Sequence, residues 1–274
     1  MTRPPIISAA IVISLCSAFA PLGEMPALAQ QNSDPRVADL VHAGKIRIGL
    51  GLGNRAAAIK DPATGELRGM ASDLARALAA RIGVAMQPVE YGRPGLVFDG
   101  ARTGAWDATF LVIDPDRTAE ADVSSTYMQS DFTYLLPAGS SIRSVADADR
   151  NSIHIGVPRG DAVDLRLSRI LKQSELVRVD NQAAGLDLLR AGQIDAYAAP
   201  RPALLALSGQ LPGSHVLEEA FATIYWAAFV PKDHAAHLAY VNDFVEDAKA
   251  GGMVAQLIEQ EGLHGVKVTP PEKR

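Results

Sequence analysis

The chain is poor in the residues that build disulfides, thiolate metal centres and aromatic recognition surfaces. Its 274 residues hold one cysteine, Cys16, and aromatics make up only 5%. Beyond residue 16 there can be no disulfide, thiolate ligand or thiol nucleophile. No basic run exceeds two residues and the formal net charge is −5, which argues against nucleic acid and anionic membrane as partners. No uninterrupted apolar run reaches the roughly 20 residues of a bilayer span. Catalytic signatures are missing too: there is no G-x-S-x-G elbow and no H-E-x-x-H. "GLGLGN" (49–54) is followed by a polar turn with Pro62 instead of a helix, so a dinucleotide fingerprint fails on context. His234 and His237 lack a third ligand and read as a surface pair. No metal, cofactor or catalytic group is expected.

What is present begins with a processing signal. Arg3, the apolar stretch Ile6 to Ala20 and Ala27-Leu28-Ala29 ahead of Gln30 read as a cleavable secretory signal over residues 1–29. Leu15 before Cys16 does not suit a lipoprotein site. The expected product is therefore soluble, exported to a bacterial periplasm and free of a lipid anchor.

Beyond it, strand-like and helix-like segments alternate. "KIRIGLGLG" (45–53), "VAMQPVEY" (84–91) and "DATFLVI" (107–113) read as strands. "SDLARALAARIG" (72–83) reads as a helix with Leu74, Leu78 and Ile82 on one face, Ser72 as cap and Gly83 as stop. The pattern recurs in "SIHIGVPRG" (152–160), the helix 161–174 capped by Asp161, "LVRVD" (176–180), the helix 183–192 and "IDAYAA" (194–199). "RTGAWDATF" (102–110) and "RAGQIDAYA" (190–198) share R-x-G-x-x-D-A. In each, a glycine ends a helix and an aspartate opens a buried strand. Two such units predict an α/β protein of two Rossmann-like lobes, linked near 128–135 and 222–230, with the C-terminal helices packing back on lobe 1. The expected division is lobe 1 over 30–130 and 224–274, and lobe 2 over 131–223. Ligands of open α/β sheets bind beyond the carboxyl ends of the strands, which here means between the lobes.

"ATFLVIDPDRTAE" (108–120) then becomes the key stretch. An apolar strand ends in Asp114, Pro115, Asp116 and Arg117. A guanidinium at a strand's carboxyl end can hold a carboxylate through two parallel hydrogen bonds. The helix start at Asp161 and Ala162, at the matching place in the second lobe, offers free N–H groups. The residues predict a carboxylate clamp across the cleft, set against a structural ion pair.

These stretches resemble the family 3 periplasmic solute-binding proteins, the receptors for polar amino acids in ATP-driven importers. The likeness rests on "GELRGMASDLARALAARIGV" (65–84), "GAWDATFLVIDPDRTAEADVSSTYM" (104–128), "GQIDAYAA" and "YWAAFVPKDH". It implies a Venus-flytrap fold with a two-crossing hinge, a monomer, and an inner-membrane ABC permease as partner. It assigns the ligand's α-carboxylate to Arg117 and places Gly160, Asp161 and Ala162 opposite. Expected ligand-binding residues are Arg117, Asp161, Ala162, Asn54, Ile113, Asp114, Tyr127 and Arg159. This chain departs from the family pattern at Asp161, where a Ser or Thr is usual. It departs again at Pro200 and Arg201, where an acid is usual, at Asn54 and Arg55, where an aromatic is usual, and at Val112, where a hydroxyl is common. Those departures point to a small polar, carboxylate-bearing ligand, or to an amino acid whose ammonium meets Asp114 or Asp161. Two alternatives are a dehydratase acting on cyclic carboxylic acids through one of those acids, and a sensory module that presents its closed form to a receptor.

Overall fold

A computed structural model describes residues 34–272; the expected signal peptide lies outside the described residues. Strand β1 (Lys45–Gly51) leads into a hairpin of β2 (Ile59–Lys60) and β3 (Leu67–Arg68). Helix α1 (Met70–Ile82), β4 (Ala85–Tyr91), a 3-10 turn over Pro94–Gly100 and β5 (Ala108–Val112) follow. A short helix α2 (Pro115–Glu120) opens onto the long strand β6 (Ala121–Leu136). The second run holds α3 (Val145–Ala148), β7 (His154–Pro158), α4 (Ala162–Ile170), β8 (Glu175–Val179), α5 (Gln182–Arg190), β9 (Ala196–Pro200), α6 (Arg201–Ser208) and β10 (His215–Val216). The chain returns through β11 (Ala222–Pro231) and ends in α7 (Ala235–Ala250), α8 (Met253–Gln260) and β12 (Lys267–Val268).

One pattern is built twice. The sheet runs β4-β1-β5-β11-β6-β9-β7-β8, with β10 and β12 added on β6. The triplets β4-β1-β5 and β8-β7-β9 are internally parallel. Between them β6 and β11 pair antiparallel, from Ala121↔Pro231 to Phe132↔Ala222, with register breaks around Ala227. The expected linkers near 128–135 and 222–230 fall on these two strands. Helices α7 and α8 return to the first half, where α7 packs on β6, β11 and the 3-10 turn Pro35–Leu40.

The R-x-G-x-x-D-A echo has one structural job in both halves. Gly104 and Gly192 take left-handed φ of 61° and 66°, which glycine adopts without a Cβ penalty. Asp107 then bonds the Arg47 backbone twice, its carboxylate accepting from the Arg47 N–H at 2.7 Å and its N–H donating to the Arg47 carbonyl at 2.8 Å. Asp195 does the same to His154, at 2.8 Å in each direction. The preceding residue packs on a glycine of the first strand. A Cβ on Gly49 would lie 2.9 Å from the Trp106 ring, and one on Gly156 would lie 2.5 Å from Ile194. Each motif thus pins a third strand to a first strand in register.

The boundaries differ from expectation where tertiary bonds intervene. Helix α1 starts at Met70, not at Ser72, which is fully buried within it. Its first N–H groups donate to the carbonyls of Arg55 and Ala57, across a close approach allowed by Gly69 at φ 114°. Helix α4 stops at Ile170 because Asp149 accepts the N–H groups of Lys172, Gln173 and Ser174. Burial works against the Asp149 charge, but those donors hold its carboxyl below the usual range.

Tyr127, expected at the ligand, lies on β6 in the core. It is fully buried beside Phe110 with ring centroids 6.1 Å apart, and its hydroxyl has no hydrogen-bond partner. Strand β6 is only partly buried, and Tyr127 lies on its core side. Burial alone pushes this phenol above its ordinary value of 10.0. Its contribution to stability is therefore complete below pH 10 and falls as the pH rises further, because the unfolded chain ionises first. Tyr127→Phe removes an unsatisfied hydroxyl, a group whose burial costs about 1–3 kcal/mol. Denaturant titrations should find Tyr127→Phe at least as stable as the parent at neutral pH, with a shallower loss of stability above pH 10. A substantial loss at neutral pH would place a hidden partner on the hydroxyl.

Candidate functional site

Four strands deliver their carboxyl ends to one place. After β1 comes the loop 53–58, shaped by Asn54, whose side chain accepts the Ala57 N–H at 3.0 Å. After β5, Asp114 caps the six-residue α2 by accepting the Asp116 N–H, and Pro115 takes the first turn. That turn aims Arg117 back over the strand it has just left. Nη1 donates to the Val112 carbonyl at 3.0 Å, the guanidinium lies 5.5 Å from the centroid of the Phe98 ring, and the residue is 4% exposed.

From the other half, β7 ends at Pro158 and Gly160 turns the chain at φ 68° into α4. Asp161 caps α4, accepting the Ala162 N–H at 2.7 Å. The same Oδ1 accepts Arg117 Nη2 at 3.1 Å across the cleft. Beside this pair remains a cavity of about 20 Å³, lined by Asn54, Val112, Pro200 and the aromatic side chains of Phe132 and Trp226 from the two long strands. That is room for a water molecule. In this conformation Asp161 takes the place expected for a ligand carboxylate.

Further contacts close the cleft. Asp114 binds Arg169 of α4, and Arg169 also reaches Asp116 at 3.6 Å. Arg93 lies 3.6 Å from Asp180. The backbones touch where a Cβ on Gly95 would fall 2.5 Å from the Gly160 carbonyl oxygen. A larger compartment, about 180 Å³, shares Asn54 and Pro200 with the small cavity and opens between the loop 53–59, α6 and the turn 261–263.

Of the expected site residues, Arg117, Asp161 and Asn54 meet at the small cavity. Ile113, Asp114 and Ala162 line a separate opening of about 240 Å³ near Tyr225. There the Ile113 N–H is held by the Tyr225 carbonyl and Asp114 by Arg169. Arg159 is a correction: its side chain is 51% exposed, bonded to the Arg178 carbonyl and near Asp180, outside these cavities. Tyr127 is in the core, as described. Arg201 turns away to the carbonyls of Leu217 and Glu218. His237 is buried and stacks on His234 at 4.6 Å, so only half of the expected surface pair is at the surface. Among the described residues no three His, Cys, Asp or Glu side chains form a metal cluster.

Sequence reasoning missed Phe98, Arg169, Phe132 and Trp226. Only the last two had a signal, as aromatics on segments read as linkers. It also missed α6, in which Pro202 occupies the first turn, where its missing N–H is harmless.

Residues 46–262 match the family model of bacterial extracellular solute-binding proteins, family 3. A glutamine-binding protein of Geobacillus stearothermophilus is 24% identical over 184 residues, 65% of this chain and 70% of that one. The ABC transporter glutamine-binding protein GlnH of Bacillus subtilis (strain 168) is 20% identical over 92% of both chains. Among solved structures, the solute receptor for L-cysteine of Neisseria gonorrhoeae superposes with a TM-score of 0.75 at 22% identity, covering 84% of this chain and 95% of that one. An ancestral amino acid-binding protein, described as a precursor of cyclohexadienyl dehydratase, gives 0.72 at 22% identity, covering 81% and 97%. The duplicated α/β halves, the strand ends facing one cleft and the match over most of the chain agree: the chain belongs to the bacterial extracellular solute-binding proteins, family 3.

Proposed function

We propose that this protein captures a small polar ligand, an amino acid or close relative, in the periplasm and presents it to the permease of an ABC importer. Arg117 and Asp161 meeting across the cleft carry the reading. Each half supplies one charge, and the pair forms only when the halves are together. Residues 30–130 with 224–274 form one moving body and 131–223 the other, with β6 and β11 as the hinge. The signal read over residues 1–29 accounts for export, and a monomer without a lipid anchor completes the picture. A ligand that binds the closed form better than the open one shifts the equilibrium by that difference in affinity. The acids that a dehydratase would need, Asp114 and Asp161, are both bound to arginines here, which favours capture over chemistry.

Closure can be tested where it is narrowest. Gly95→Ala places a methyl against backbone that has no side chain to move aside. Small-angle X-ray scattering should show a larger radius of gyration for Gly95→Ala than for the parent, with unchanged circular dichroism; an equal radius would remove this contact from the closing motion.

The cross-cleft pair gives a second test. Arg117→Ala leaves Asp161 without its partner in the closed form, and a hydrogen bond to a charged group contributes about 1.5–3 kcal/mol. Calorimetric affinity for a ligand found by thermal-shift screening should fall ten-fold or more. Asp161→Ser keeps a helix cap but frees Arg117, and it should gain affinity for simple carboxylates such as acetate or succinate. Unchanged binding in both variants would make the pair incidental to capture.

A further inference from the structure

We infer that residues 265–272 are a strap that braces the hinge at its weakest point and holds it at the closed angle. The inference rests on β6 and β11 being the crossing between the two moving bodies, and it deepens that reading. The ladder between these strands is broken in its middle. Trp226 pairs with Met128 and Ala227 with Thr126, so the register skips Tyr127, and it slips again before Phe229↔Val123. Irregularities of this kind bend a strand and interrupt its hydrogen bonds. Here the Ala228 N–H donates to the Ser124 hydroxyl at 3.0 Å, and the Ser125 N–H donates to the Asn242 side chain of α7 at 2.7 Å.

The strap takes up what the break leaves. Strand β12 pairs with β6 beside it, Val268 against Met128 and Lys267 against Gln129. Thr269 then holds two successive carbonyls: its hydroxyl donates to that of Thr126 at 2.5 Å and its N–H to that of Tyr127 at 3.2 Å. An ammonium has three donors. Lys249 Nζ meets the Thr126 carbonyl at 2.9 Å, the Pro270 carbonyl at 3.3 Å and Glu246 at 2.7 Å. Glu246 in turn accepts the Glu272 N–H at 3.0 Å. The Lys249 and Glu246 side chains are only 1% and 6% exposed, so the tail is tied down by charges that would lose partners without it. The other end of the strap reaches the second half. The Gly265 carbonyl accepts the Ser130 hydroxyl at 3.2 Å. A Cβ on Gly265 would fall 3.0 Å from Cδ of Arg201, the first residue of α6. One segment thus touches both bodies across the break, in the conformation that joins Arg117 to Asp161.

Hydrogen–deuterium exchange and small-angle X-ray scattering test this on the purified protein. The parent is compared with a chain lacking residues 267–274 and with Thr269→Val, which keeps the side chain's shape and removes its hydroxyl. Loss of the strap should quicken exchange ten-fold or more in β6 and also in β11, which β12 does not pair, while α1 and α5 keep the parent's rates. The truncated chain should also have the larger radius of gyration. Thr269→Val should quicken the same two strands several-fold, and it decides alone if the truncated chain does not fold. Parent rates in β11 would overturn the brace. So would faster exchange spread through α1 and α5, which would make the tail a general support. An unchanged radius on truncation, with Gly95→Ala wider than the parent, would overturn the strap and leave solute capture standing. An unchanged radius in both would overturn the two-body reading as well.

Discussion

Everything at the cleft depends on one ion pair, Arg117 with Asp161. It is the most buried of the ion pairs that join the two halves. Asp161 serves two donors with one oxygen, the start of its own helix and the guanidinium from the other half. A helix cap therefore doubles as the counter-ion of Arg117. This makes sense of the acidic company Arg117 keeps. Asp114 and Asp116 are turned to Arg169 instead, so the cleft is crossed by alternating charges and not loaded with unpaired negative ones.

The energetics of such a pair favour specificity over strength. Charges withdrawn from water lose hydration that their mutual attraction only partly restores. Here the Arg117 side chain is 4% exposed and that of Asp161 14%. The pair thus adds little to closure as such and much to its register. Any arrangement that closes the halves without bringing Arg117 to Asp161 buries an unpaired charge. The Gly95–Gly160 backbone contact and the Arg169 bridges set the same register from neighbouring positions.

Much of this was legible in the sequence, and the reasons differ by element. The R-x-G-x-x-D-A echo exposed the duplication because its glycine, apolar residue and aspartate each have a distinct task, and those tasks tolerate few alternatives. Arg117 stood out because a long charged side chain directly after a fully buried strand has few places to go. Tyr127 misled because its surroundings are set by α7 and β5, elements far off in the chain. Ser72 misled because α1 takes its cap from loop carbonyls, through a close approach at Gly69 that no local rule announces. Helix α6, one wall of the larger compartment, went unread after the strand that precedes it. Asp161 was foreseen as a cap and as a cleft residue, but whether it faces a ligand or the arginine depends on the distance between the halves. Local sequence carries no information on that distance.

The central claim is that Arg117 and Asp161 join the two halves across the cleft. The most direct test is small-angle X-ray scattering of Asp161→Arg, which sets two like charges face to face. The account predicts a larger radius of gyration than that of the parent, with unchanged circular dichroism. An equal radius would contradict it.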